Sequence, residues 1–144
     1  MAECLFCRIA AGETAAQVVF SNEDCIAFLD HRPLFPGHCL LVPRRHVETL
    51  AEVPNELIGP LFGIAQLLTI AVETAMEAEG NFVAINNKIS QSVPHLHIHI
   101  VPRRRKDGLR GFFWPRNKYK SEEDMLVVAQ RIKSRLAELG VERL

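Results

Sequence analysis

Short apolar runs alternate with one long helical period along this chain, and the transitions mark its elements. "AQVVFSN" and "CIAFLD" are two apolar runs parted by Ser21, Asn22, Glu23 and Asp24. A polar break between two β-rich runs predicts a hairpin. Before them, residues 4–10 read as a short helix ending near Ala11-Gly12. "RPLFPG" is a loop punctuated by Pro33, Pro36 and Gly37, and "HCLLVP" is a strand that Pro43 ends. From Pro54 to Ala78, Leu57, Leu61, Ile64, Leu68, Val72 and Ala75 recur at helical spacing. This predicts a long helix, stopped near Gly80. "FVAIN" is a strand, "NKISQ" a loop, and "HLHIHIV" a strand closed by Pro102. Residues 121–139 form a last helix, opened by Ser121 with Asp124 in the capping-box position, where Glu would be the stronger partner. Helix, strands, helix, strands, helix is the order of an α+β fold with a mainly antiparallel sheet, expected as one domain over residues 1–144.

Composition narrows the class. The 144 residues are 48% hydrophobic and 24% charged, with a formal net charge of zero. That describes a globular domain with no global pull toward nucleic acid or an anionic membrane. The longest apolar stretch, "LFGIAQLLTIAVETAMEA", is broken by Gln66, Thr69 and Glu73, so a core helix is expected and not a membrane span. The start "MAECLFCRIAAGE" has neither the basic beginning nor the apolar run of a signal peptide. A reducing cytoplasm is the default expectation, with Cys25 and Cys39 as small core hydrophobes. Between Arg103 and Lys120 stand eight Lys or Arg against Asp107 alone, with Phe112, Phe113 and Trp114 among them. This segment reads either as a solvated loop that packs its aromatics or as an anion-attracting rim.

Half of the six histidines stand at alternate positions: His95, His97 and His99. With six histidines in 144 residues, chance supplies such a triple about 0.01 times per chain. On a strand they share one face, while Leu96, Ile98 and Ile100 take the core face. The histidine face then looks away from the core, toward a cleft or solvent. Two chemistries suit it. Paired imidazoles can hold zinc, or a neutral imidazole can attack phosphorus while its neighbours orient it and move protons. Spacing alone does not separate them.

In context, "HLHIHIV" resembles the His-φ-His-φ-His-φ-φ signature of the histidine-triad (HIT) family of nucleotide hydrolases and transferases. "CLFCRIAAGE", "AFLDHRPLFPGHCLLVPRRH" and "QSVPH" resemble other family segments in the same order, from about Cys4 to Pro102. The resemblance implies a two-fold dimer of HIT-like α+β domains, with one long central helix, a C-terminal helix and a core over about 4–102. Its dimer surface would be the Pro54–Ala78 helix and the "FVAIN" strand. It implies that His97 is the nucleophile, that His99 contacts the phosphoryl or leaving-group oxygens, and that His38 supports the triad. It further implies that Gln91 and Ser92 hydrogen-bond phosphate, that Asn86 or Asn87 contacts sugar and phosphate, that Asp30 accepts from ribose hydroxyls and that Phe28 lines the base pocket. Two positions depart from the pattern. Ser90 stands where glycine is usual, and Pro94 precedes the triad.

Some branches of the family pair an N-terminal C-x-x-C with two histidines. The corresponding set here is Cys4, Cys7, His46 and His95. Thiolate and imidazole suit zinc, and four protein ligands make it structural; no catalytic metal is expected. The implied activity is attack on the α-phosphate of nucleoside 5′-phosphoramidates or dinucleoside polyphosphates through a nucleotidyl-phosphohistidine on His97, releasing a nucleoside monophosphate. The expected partners are a purine nucleotide or dinucleotide and a second copy of the chain, with no nucleic acid and no membrane. The other class is a nucleotide-binding adaptor whose hydrolysis is incidental.

Overall fold

A computed structural model describes residues 3–109 and 116–140. The chain divides into two compact units, residues 1–108 and 109–144. The first holds a five-stranded antiparallel sheet in the order β1-β2-β3-β5-β4. The strands are β1 (Val18–Ser21), β2 (Cys25–Leu29), β3 (Cys39–Pro43), β4 (Gly80–Ile85) and β5 (Ile98–Arg103). Helices α1 (Leu5–Ala10) and α2 (Asn55–Ala75) accompany it. The β1–β2 hairpin closes as expected, with the Asn22 side chain accepting from the Asp24 and Cys25 amides.

Both faces of the central strands are covered, which is why β2 and β3 are apolar without alternation. On one face Cys25, Ala27, Cys39, Leu41, Ile98 and Ile100 pack with Leu57, Leu61, Ala65, Leu68 and Val72 of α2. These α2 residues recur every three or four positions and form one stripe. Full burial of each leucine stabilises by about 2 kcal/mol. By length and composition α2 could cross a membrane, but this stripe is spent on the sheet. On the other face Ile26, Phe28, Leu40 and Val42 pack with Phe6 and Ile9 of α1. Cys25 and Cys39 are core residues, as expected.

Several boundaries differ from the expected ones. α2 stops at Ala75 because Glu77 adopts φ 50° and the Ala78 amide returns to the Glu73 carbonyl. No glycine marks that reversal. β5 begins at Ile98, after His95 and His97, because the His95 amide closes a turn on the Val93 carbonyl and the Leu96 amide goes to Val47. It also runs through Pro102 to Arg103. At Pro102 its registered partner is Asn81 of β4, whereas pairing with β3 ends at Cys39 and Ile100.

The second unit is built around helix α3 (Glu122–Leu139). Its N-cap is Ser121, which accepts from the Asp124 amide at 3.0 Å, and Gly140 ends it in the left-handed region at φ 75°. Phe112, Phe113 and Trp114 lie outside the described residues, so the reading of the aromatic segment is not tested by the structure. Arg103, Arg104 and Arg105 are engaged in the first unit, by Asp107, the Met76 carbonyl and Glu79 respectively.

Candidate active site

β5 pairs His99 with Leu40 of β3 and with Ala84 of β4, so its side chain stands on the α1 side of the sheet, opposite α2. Leu96, Ile98 and Ile100 are fully buried, as the alternation requires. The histidine face is not open to solvent, however. His95 and His97 are 0% and 3% exposed, because α1 covers them and the Phe6 ring lies edge-on to His97 at 5.1 Å. Arg44 ties α1 down by donating to the Ala10 carbonyl, the Asn22 carbonyl and the Ser21 hydroxyl.

The hydrogen bonds fix which nitrogen of each imidazole carries the proton. His97 donates from Nδ1 to the His95 carbonyl at 2.7 Å, so its Nε2 keeps a lone pair. The His38 Nδ1 accepts from the Leu34 amide at 3.1 Å. Neutral His38 therefore carries its proton on Nε2 and donates it to His99 Nδ1, 3.0 Å away. His99 is left with its proton on Nε2, and that atom is buried with no partner among the described residues. The site thus presents one lone pair and one unpaired N–H. Burial holds His99 down to about 4, helped by the nearby His97 and His38, and burial also lowers His38 against the pull of Asp30. Both stay neutral near pH 7, which the relay needs.

His97 and His99 line a cavity of about 670 Å³, in the size range of small-molecule sites. Its walls include Phe6 and Ile9 of α1, Phe28 and Leu40 of the sheet, and Asp30 and Ser92 near the histidines. Asp30 Oδ2 lies 3.8 Å from His38 Nε2, while its Oδ1 accepts from the Arg32 amide. Asp30, Phe28 and Ser92 are thus brought together with His97 and His99.

Asn86, Asn87 and Gln91 do not line the cavity. The Asn87 side chain accepts from the Leu50 amide, and the Gln91 amide donates to the Glu48 carbonyl while accepting from the Lys88 N–H. Both brace the loop before the triad, whereas Asn86 makes no such bond. Ser90 sits at φ 59° and Lys88 at φ 71°, in the region glycine prefers. Sequence reasoning missed Leu5, Phe6, Ile9, Thr14, Gln17 and His31 as cavity residues. The Phe6–Ile9 helical spacing and the adjacency of His31 to Asp30 were the available signals.

The ligating atoms of Cys4, Cys7, His46 and His95 all lie within 4.8 Å of one another. Cys4 Sγ to His95 Nδ1 is 3.3 Å, Cys7 Sγ to His46 Nδ1 is 3.3 Å and Cys7 Sγ to His95 Nδ1 is 3.5 Å. A tetrahedral zinc with ordinary Zn–S and Zn–N bonds separates such ligands by about 3.6 Å. His95 donates from Nε2 to the Pro43 carbonyl at 2.8 Å, which leaves Nδ1 as the ligand and orients the ring. These four residues fit a structural zinc. Asp30, His38 and His99 also cluster, but the Leu34 bond keeps a proton on His38 Nε2, and that atom cannot then ligate.

The family model for the HIT domain matches residues 11–106. This chain belongs to the HIT family. A HIT-family protein of Bacillus subtilis, seen in a crystal structure, has 34% identity and a TM-score of 0.85, over 93% of this chain and 97% of that one. A zinc-bound HIT-family protein of Mycobacterium smegmatis has 31% identity and a TM-score of 0.70, over 92% and 97%. Among curated relatives, an uncharacterized HIT-like protein of Saccharolobus solfataricus is 40% identical over 69% of this chain and 73% of its own length. The adenosine 5′-monophosphoramidase of Saccharomyces cerevisiae is 34% identical over 75% and 68%.

Proposed function

We propose that this HIT protein is a nucleotide hydrolase acting on nucleoside 5′-phosphoramidates or dinucleoside polyphosphates. The tautomer chain carries the reading, because it leaves a nucleophilic lone pair on His97 Nε2 and a donor on His99 Nε2, on two residues of one cavity. His97 attacks the α-phosphorus as the bond to the leaving group breaks, and that group departs with the electron pair. The His99 N–H stabilises charge developing on oxygen. Water, or another acceptor in a transfer reaction, then releases the nucleoside monophosphate and restores His97. Asp30 receives the ribose hydroxyls, Phe28 and Phe6 flank the base, and Ser92 meets the phosphate. Zinc on Cys4, Cys7, His46 and His95 supplies structure alone, since four protein ligands leave no open position.

Unpaired thiols at Cys4, Cys7, Cys25 and Cys39 support a cytoplasmic setting. The β4 edge with exposed Val83, beside exposed Phe62, Leu67 and Ile70 on α2, supports a homodimer formed there. Sedimentation at micromolar concentration checks that arm, and a monomer contradicts it. The test of the chemistry is His97→Ala assayed on adenosine 5′-phosphoramidate and diadenosine polyphosphates. Turnover should fall at least about a thousandfold, and unchanged turnover overturns the mechanism. Tight AMP binding by the wild-type chain with no hydrolysis of either class would instead favour an adaptor.

A further inference from the structure

Two buried side-chain atoms lack a hydrogen-bond partner among the described residues, His99 Nε2 and Thr14 Oγ1. Both residues line the same cavity. His99 stands at its catalytic end. Thr14 lies in the loop that follows α1, its amide bonded to the Arg8 carbonyl, and Ala15, Ala16 and Gln17 continue that loop along the cavity wall. Phe6 and Phe28 also line it, their rings 5.4 Å apart at an interplanar angle of 63°. A buried hydroxyl left unpaired is unfavourable by more than an ordinary hydrogen bond returns. Because Thr14 lines the cavity, a χ1 rotation would bring this hydroxyl within reach of an occupant. An occupant that satisfies both orphans has an acceptor oxygen for His99 at one end and a polar edge for a hydroxyl at the other, joined by a body suited to aromatic walls. A nucleoside monophosphate has that build.

We infer that Thr14 reads the nucleobase: its hydroxyl, after a χ1 rotation toward the cavity, hydrogen-bonds a polar edge atom of the base and makes Thr14 a specificity-determining residue. This rests on the nucleotide reading of the cavity. A hydroxyl both donates and accepts, so it serves a ring nitrogen or an exocyclic amino group equally, as a purine edge offers.

The test is titration calorimetry and thermal melting of the full chain as wild type, Thr14→Val and Thr14→Ser, with AMP and with ribose 5-phosphate. Valine keeps the shape and removes the hydroxyl, whereas serine keeps the hydroxyl. Thr14→Val should weaken AMP binding about three- to tenfold, leave ribose 5-phosphate unchanged, and melt no lower than wild type when ligand-free. Thr14→Ser should hold AMP within about twofold of wild type. Unchanged AMP affinity in Thr14→Val overturns the inference, as does an equal loss for ribose 5-phosphate. If the wild type binds AMP no better than ribose 5-phosphate, the nucleotide reading of the cavity fails first and this inference falls with it.

Discussion

His38 Nε2 lies 3.0 Å from His99 Nδ1, and the Leu34 amide 3.1 Å from the other nitrogen of His38 decides the direction of the proton between them. One backbone N–H in the "RPLFPG" loop therefore sets the tautomer of His99, two hydrogen bonds away. In the proposed mechanism His38 acts as a positioning residue.

Removing it should free His99 to carry its proton on Nδ1, turning a donor to substrate into an acceptor. His38→Ala should lower kcat by about ten- to a hundredfold with a smaller change in KM. His38→Gln, whose amide can still donate to His99, should recover part of the loss. Steady-state kinetics on a phosphoramidate checks both, and a change confined to KM contradicts the relay.

Acidification should destabilise the fold through its buried imidazoles. Burial, with His97 and His38 nearby, holds His99 down to about 4 against an ordinary value of 6.5, and burial also lowers His38 and His95. The unfolded chain therefore binds protons that the folded chain refuses. Stability is full above about pH 6.5 and falls as the pH drops toward about 4, by up to about 3 kcal/mol from His99 alone. Denaturant midpoints measured from pH 7 to 4 test this. His99→Phe should flatten the slope.

The thiol–imidazole cluster predicts about one equivalent of zinc per chain as purified. Burial and the neighbouring Cys4 push the metal-free Cys7 thiol up to about 11, so a metal that takes it as thiolate must displace a firmly held proton. Cys7→Ser should lose the zinc and lower Tm by about 10 °C. Elemental analysis and thermal melts read both, and wild-type protein without zinc or any sign of metal loss counts against the site.

Two glycine-related positions should respond with opposite signs. Ser90 holds φ 59°, so Ser90→Gly should stabilise by about 1 kcal/mol. Gly37 holds φ 96°, and a Cβ there would stand 2.6 Å from Met76 Cγ. Gly37→Ala should therefore cost about 2 kcal/mol and disturb His38 beside it. Chemical denaturation of both variants is the check.

The sheet, the long helix and the core side of the triad strand were legible because each follows from a local period. Leu96, Ile98 and Ile100 are buried where alternation puts them, and Leu57 through Val72 form the expected stripe. The cover on the histidine face was not legible. It depends on Phe6 and Ile9, two residues of a six-residue helix, meeting a strand about ninety positions later, and no local pattern encodes that contact. The bracing of Asn87 and Gln91 against residues 48–50 is likewise a tertiary bond that composition cannot show. The roles proposed for His97 and for the zinc-fitting quartet came from the family resemblance, because spacing alone left them open.

α1 is too short to persist on its own. Arg44, the packing of Phe6 and Ile9, and the Cys4–Cys7 pair hold it where it forms one wall of the cavity. Whatever grips the thiols thus also shapes the space proposed to receive the nucleotide. By reciprocity, a nucleotide that favours the docked helix must tighten the grip on the metal by the same factor that the metal improves nucleotide affinity. Metal supply and substrate supply would then act on this protein as a single linked variable.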